Sequence, residues 1–194
     1  MKNVSIFLIA LFFMSGCAIL SEFTALTKCE FRFHSARDPR ISGIDVTTKQ
    51  SFSDFTFFDG QAVVSNIMRG TLPFAITANV EVKNPGLASA AVNQIEWIAF
   101  IDDIRISDGV IADRVEIAPN GGTAIIPIRI QTDLFEYLEG DNPKTMLNFG
   151  LNLVDAGGQP TRLSMQIKPS VLIGGQAVSY PGYFEIAHEF SSGN

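Results

Sequence analysis

The sequence predicts a mainly β protein, a two-sheet antiparallel sandwich of immunoglobulin-like layout with two or three short helices at its ends or edges. Three observations predict it. Seven or eight segments alternate apolar and polar residues with period two. Turn signals stand between them: Asn84-Pro85-Gly86, Asp102-Asp103 and Pro119-Asn120-Gly121-Gly122. Helical periodicity is confined to short pieces. With 46% apolar and 18% charged residues the chain is neither disordered nor low in complexity.

The chain opens on a basic residue, Lys2, an apolar run over 4–14, and Ser15-Gly16-Cys17. These are the parts of a secretory signal, and a cysteine behind small residues marks the lipidated kind. The expected processing removes residues 1–16 and places a diacylglycerol on the Cys17 sulfur and a further acyl chain, such as palmitate, on its amine. The apolar run is too short for a spanning helix, which needs about 20 residues. Two or more acyl chains hold a protein firmly to a bilayer. Ala18 stands where an Asp would retain a lipoprotein at the inner membrane, so the expected address is the outer membrane of a Gram-negative cell envelope. Residues 17–27 form the lipidated N-terminus and a tether with enough apolar residues to pack, and 28–194 is expected to be a single domain.

Cys29, Phe31 and Phe33 alternate with Lys28, Glu30 and Arg32, a strand with an apolar inner face. Cys29 is expected to be a buried structural thiol, because Cys17, once a thioether, cannot pair with it. Val63, Val64, Ile67 and Met68 suggest a short helix that Gly70 can end. The strongest strand is 71–83, where Leu72, Phe74, Ile76, Ala78, Val80 and Val82 share one face. A strand over 91–101 follows, then an acidic two-residue hairpin at Asp102-Asp103 whose return strand closes at Ser107-Asp108-Gly109. Val115 and Ile117 mark a further strand, 123–131 another, 163–173 another, and 183–190 the last. Leu134, Phe135 and Leu138 suggest a second helix; Asn142-Pro143, as N-cap and first helical residue, opens a third through Met146, Leu147, Leu151 and Val154.

The sequence offers no pattern that marks a catalytic, cofactor or metal site. A formal charge of -6 with scattered basic residues offers nucleic acid no footprint. His34 and His188, the 2 histidines, lie at outward or terminal strand positions and match no metal or nucleophile spacing. Gly121-Gly122 and Gly174-Gly175 lack the Lys and hydroxyl residue of a phosphate loop and read as turns. Asp102, Asp103, Asp108 and Asp113 could offer oxygens to calcium if one end of the sandwich gathered them; solvated turn carboxylates are the simpler reading. The aromatic residues Phe52, Phe55, Phe57, Phe58, Phe74, Phe100, Phe135, Phe149, Phe184 and Phe190 are expected mostly in the core, with 52–58 an optional cover for an apolar groove.

From Leu72 to about Ile130 the chain resembles the late embryogenesis abundant (LEA) type 2 family, also called the water-stress and hypersensitive-response (WHy) domain. The resemblance rests on the alternating strand through Val80 and Val82, on Asn84-Pro85, on the apolar and aromatic strand from Ile95, and on the tight turn and Gly109 after the third strand. It implies a fibronectin-III-like sandwich, structural roles for Asn84, Pro85 and Gly109, and a protective or binding role without catalysis. The functional expectation is a lipid-anchored envelope protein that binds a protein client or protects under stress, held to the membrane by its acyl chains. The alternatives are a carrier of a lipid or other apolar ligand, and an envelope hydrolase.

Overall fold

The computed structural model describes residues 21–47, 49, 52–138, 143–152, 158–173 and 175–191; Cys17, Asn142, Val154 and Gly174 lie outside them. It is mainly β and antiparallel, as the alternation predicts. One sheet runs β2 (Ile44–Asp45), β1 (Glu30–Ile41), β3 (Pro73–Asn84), β8 (Gly122–Asp133). The other runs β10 (Gln176–Ser179), β9 (Thr161–Ile173), β5 (Gln94–Ile101), β6 (Ile104–Ile111), with β11 (Phe184–Phe190) also on β9. A small ladder joins β4 (Ala90–Val92) to β7 (Val115–Ile117). Helix α1 is described over residues 21–26. After it come a 3-10 turn (Phe52–Asp54), α2 (Phe57–Met68), α3 (Phe135–Leu138) and α4 (Pro143–Asn152).

β3 is the centre of the first sheet and pairs β8 without a break from Pro73↔Asp133 to Asn84↔Gly122. Its inward set, Phe74, Ile76, Ala78, Val80 and Val82, is buried against Ile126, Ile128 and Ile130 of β8 and Trp97, Ile101, Leu163, Met165 and Ile167 of the facing sheet. The period-two rule therefore places each of these residues. The two open sides close without continuous backbone pairing. Between β6 and β8, Thr132 Oγ1 donates to Ile106 O at 2.7 Å and Ser107 Oγ to Gln131 O at 3.1 Å. Between β1 and β11 an aromatic seam serves: Phe31 meets Phe184 at 4.4 Å, and Phe33 stacks on His188 at 4.3 Å.

Several expectations are corrected. More strands form than the seven or eight expected, because β2 and β10 return as short hairpins after Gly43 (φ 80) and Gly175 (φ 83). The strand expected over 91–101 breaks at Asn93, whose Oδ1 accepts from the Leu172 amide at 3.1 Å while the chain crosses from β4 to β5. β1 extends well beyond His34, but register shifts at Phe33/Ser35 and Arg37/Arg40 disrupt its alternation. Finally, β6 does not close at Ser107-Asp108-Gly109. It continues to Ile111, with Gly109 paired to Trp97. A Cβ at Gly109 would stand 2.7 Å from Trp97 Cζ2, so this glycine admits the indole against the strand.

The acidic hairpin is present. Asp102 and Asp103 take φ values of 44° and 67°, the paired positive values of a type I′ turn. α3 forms where Leu134, Phe135 and Leu138 predict it, with Leu134 buried, and α4 begins at Pro143. Phe149 of α4 is buried and meets Phe74 edge-on at 5.4 Å. The tether packs over its described part: Ala25 and Leu26 are buried, and Glu22 pairs with Arg114 at 3.2 Å. Among the described residues no helix is long and apolar enough to cross a membrane.

Candidate functional site

Helix α2 is the most unusual surface of the molecule. It starts where Thr56 caps it: the Asp59 amide donates to Thr56 Oγ1 at 3.1 Å and the Thr56 amide to Asp59 Oδ2 at 2.8 Å, a reciprocal capping box. The Thr56 amide, and then the Lys49 ammonium at 2.9 Å, hold the Asp59 carboxyl below its ordinary pKa. At the other end Gly70 turns the chain with φ 72 and the Thr71 amide donates to Asn66 O at 3.0 Å. The helix buries none of its residues.

Phe57, Gln61, Val64 and Met68 fall at i, i+4, i+7 and i+11, one stripe of a helix, and all four are exposed. Phe58 and Ile67 flank the stripe. Phe57 is 80% exposed, Phe58 77% and Met68 83%. The half-buried side instead carries Asp59, Ala62, Val63, Ser65 and Asn66, so the amphipathic sense is inverted relative to a helix packed on a core. The expectation that Phe57 and Phe58 are core, or cover a groove, is corrected: they point to solvent. Phe55 is half-buried under the Lys49 ammonium, 5.3 Å from its ring centroid. The side chain of Phe52 lies outside the described residues. The missed signal is Thr56-Phe57-Phe58-Asp59, a capping-box spacing that starts the helix at Phe57 rather than near Val63.

Asn84 sits where β3 leaves the sheet and is completely buried. Its Nδ2 donates to Ala88 O at 2.9 Å and to Ile117 O at 3.2 Å, and its Oδ1 accepts from the Gly86 amide at 3.0 Å. The Gly121 amide donates to Asn84 O and the Asn120 amide to Gly86 O, each at 2.7 Å. Pro85 therefore begins a loop pinned from both sides, with Leu87 at its tip 89% exposed.

The remaining chemistry-bearing residues are engaged in separate places. His34 lies on the outer face of the first sheet, its Nδ1 3.7 Å from Glu81, which Arg32 contacts at 2.6 Å. His188 is exposed near the end of β11, as expected. It shares the face of β11 that buries Ile186, and it stacks on Phe33 with Phe190 edge-on at 4.8 Å. The four aspartates do not gather. Asp102 accepts from the Arg162 amide at 2.8 Å, Asp103 pairs with the Arg162 guanidinium at 2.6 Å and Asp108 with Arg105 at 2.8 Å. Asp113 follows β6 at its far end from that turn. Among the described residues no three His, Cys, Asp or Glu side chains assemble for a metal. Cys29 is buried, and desolvation followed by the Glu30 charge pushes its thiol up to about 11.

No family model matches the chain, and no curated protein matches it. Solved structures do. A crystal structure of a protein from Archaeoglobus fulgidus is 14% identical, with 82% of this chain and 99% of that one covered and a TM-score of 0.38. A solution structure from Arabidopsis thaliana is 15% identical over 62% of this chain and 70% of that one, TM-score 0.41. A solution structure of a candidate late embryogenesis abundant protein is 13% identical over 98% of this chain and 87% of that one, TM-score 0.41.

Proposed function

We propose that the protein is a lipid-anchored, non-catalytic envelope protein of LEA type 2 character. Its α2 stripe would hold apolar segments of partly unfolded protein clients. The carrying observation is the inverted helix: Phe57, Phe58, Val64, Ile67 and Met68 are all exposed on α2. Full burial of one such side chain contributes about 1.5–3 kcal/mol, so a client that covers two or three of them gains real affinity. The single acid of the helix, Asp59, is already paired with Lys49. That leaves the stripe without net charge and suited to an apolar partner rather than an ionic one. The resemblance from Leu72 to Ile130 supports the protective role, and Ser15-Gly16-Cys17 behind an apolar run supports the anchor.

The test compares the chain from residue 18 onward with its Phe57→Ser, Phe58→Ser, Met68→Ser triple variant. Light scattering follows a heat-labile reporter enzyme mixed with each. The parent is expected to suppress aggregation and the variant to lose that effect while keeping its melting temperature. Equal suppression by both proteins overturns the role of the stripe. A stoichiometric co-purifying lipid in native mass spectrometry would replace client binding with lipid carriage.

A further inference from the structure

We propose that the pole of the sandwich carrying α1 and the loop over 86–88 is the face that meets the lipid bilayer. Leu87 enters the interfacial region and the domain stands upright on it. This inference rests on the lipid-anchored reading and adds an orientation to it.

Residue 17 lies four residues before Ser21, so an extended link of this length reaches at most about 14 Å. From Ser21 the chain belongs to the domain rather than to a free stalk: Ala25 and Leu26 are buried, and Arg114 holds Glu22. Ser21, Thr24 and Ala25 face Leu87 and Ala88 across a shallow groove of about 390 Å³, with Lys28 the charged residue of its lining. Leu87 is thus a nearly fully exposed leucine on a loop that Asn84 and Asn120 hold in place, beside the point where the anchored segment enters. A rigid apolar tip with a lysine at its rim suits an interface that is apolar below and phosphate-rich above. The exposed Leu172 belongs to the same end, because Asn93 Oδ1 accepts both from its amide and from Arg114, the residue that holds α1.

The opposite pole carries α2. Pro73 and Asn84 are the two ends of the 12-residue strand β3, eleven steps apart, a length of about 36 Å at 3.3 Å per residue. Helix α2, which leads into Pro73, therefore lies at the end away from the membrane that holds residue 17, where its exposed stripe can meet a client.

Full-length lipidated protein carrying either Leu87→Cys or Phe58→Cys is labelled with nitrobenzoxadiazole and reconstituted into phosphatidylcholine liposomes containing nitroxide-labelled acyl chains. The buried Cys29 stays unlabelled. The expected result is a blue shift and loss of emission for the probe at 87, and emission at 58 equal to that of the unanchored protein. A quenched probe at 58, or an aqueous spectrum at 87 on a chain whose mass shows the Cys17 lipid, overturns the orientation and leaves the anchor intact. A chain whose mass shows no lipid at Cys17 overturns both.

Discussion

At the scale of single residues, Asn84 and Cys29 show how burial assigns a role that residue type leaves open. Asn84 spends both amide hydrogens on carbonyls of two different segments, Ala88 and Ile117, and its oxygen on the Gly86 amide. Replacement by Ala leaves these groups without a partner in a dry corner. One unsatisfied buried group costs about 1–3 kcal/mol, so Asn84→Ala is expected to lower stability by about 2–3 kcal/mol, read from denaturant midpoints. Cys29 has a thiol pKa of 9.0 unfolded and about 11 folded. Below pH 9 both states hold the proton and the stability it confers is fully present. Between pH 9 and about 11 the unfolded state ionises first, so stability falls as pH rises. Thermal melts across that window are expected to fall more steeply for the parent than for Cys29→Ala; parallel curves would remove Cys29 from the pH dependence. The alternation around Phe31 already placed Cys29 inside, whereas the partners of Asn84 come from distant segments and no local pattern names them.

At the scale of elements, helix α2 has little packing to lean on, since its inner side is only half-buried and none of its residues is fully buried. A helix of 12 residues is marginal on propensity alone, so its caps decide its population. Thr56→Ala is expected to cost about 1 kcal/mol of helix stability and to speed amide exchange in α2 about fivefold, with the global melting temperature nearly unchanged. Acid should act through the same cap. The Asp59 pKa is lowered in the fold from 3.8, so its contribution is present above 3.8 and is lost as pH falls through the lower folded value. Exchange protection of α2 should drop in that acid range while β3 remains protected. Period two was readable in β3, β8 and β9 because each turns one face to the core over most of its length. β1 hid its second half because two register shifts move residues between faces. α2 misled because its apolar stripe does not face the core, and periodicity reports a stripe without saying what lies opposite it.

At the scale of the whole molecule, the two poles differ in what they expose: one carries α1 and the Leu87 loop, the other helix α2 with Phe57, Phe58 and Met68. Cys17→Ala is expected to move the protein from the membrane to the soluble fraction, because in the proposed reading the acyl chains on Cys17 are its hold on the bilayer. Retention of the variant on membranes would remove the acyl anchor from the account. The amino-acid sequence by itself determined the β class, the strands β3, β8 and β9, the corner at Asn84-Pro85 and the acidic hairpin, because alternation and turn chemistry are local properties of the chain. Only the tertiary structure decided that Asn93 divides a strand between two ladders, that Gly109 admits the Trp97 indole and that His188 closes an aromatic seam. Only it turned Phe57, Phe58 and Met68 outward. Each of these depends on which distant surface arrives opposite a residue, and hydrophobicity along the chain carries no record of that.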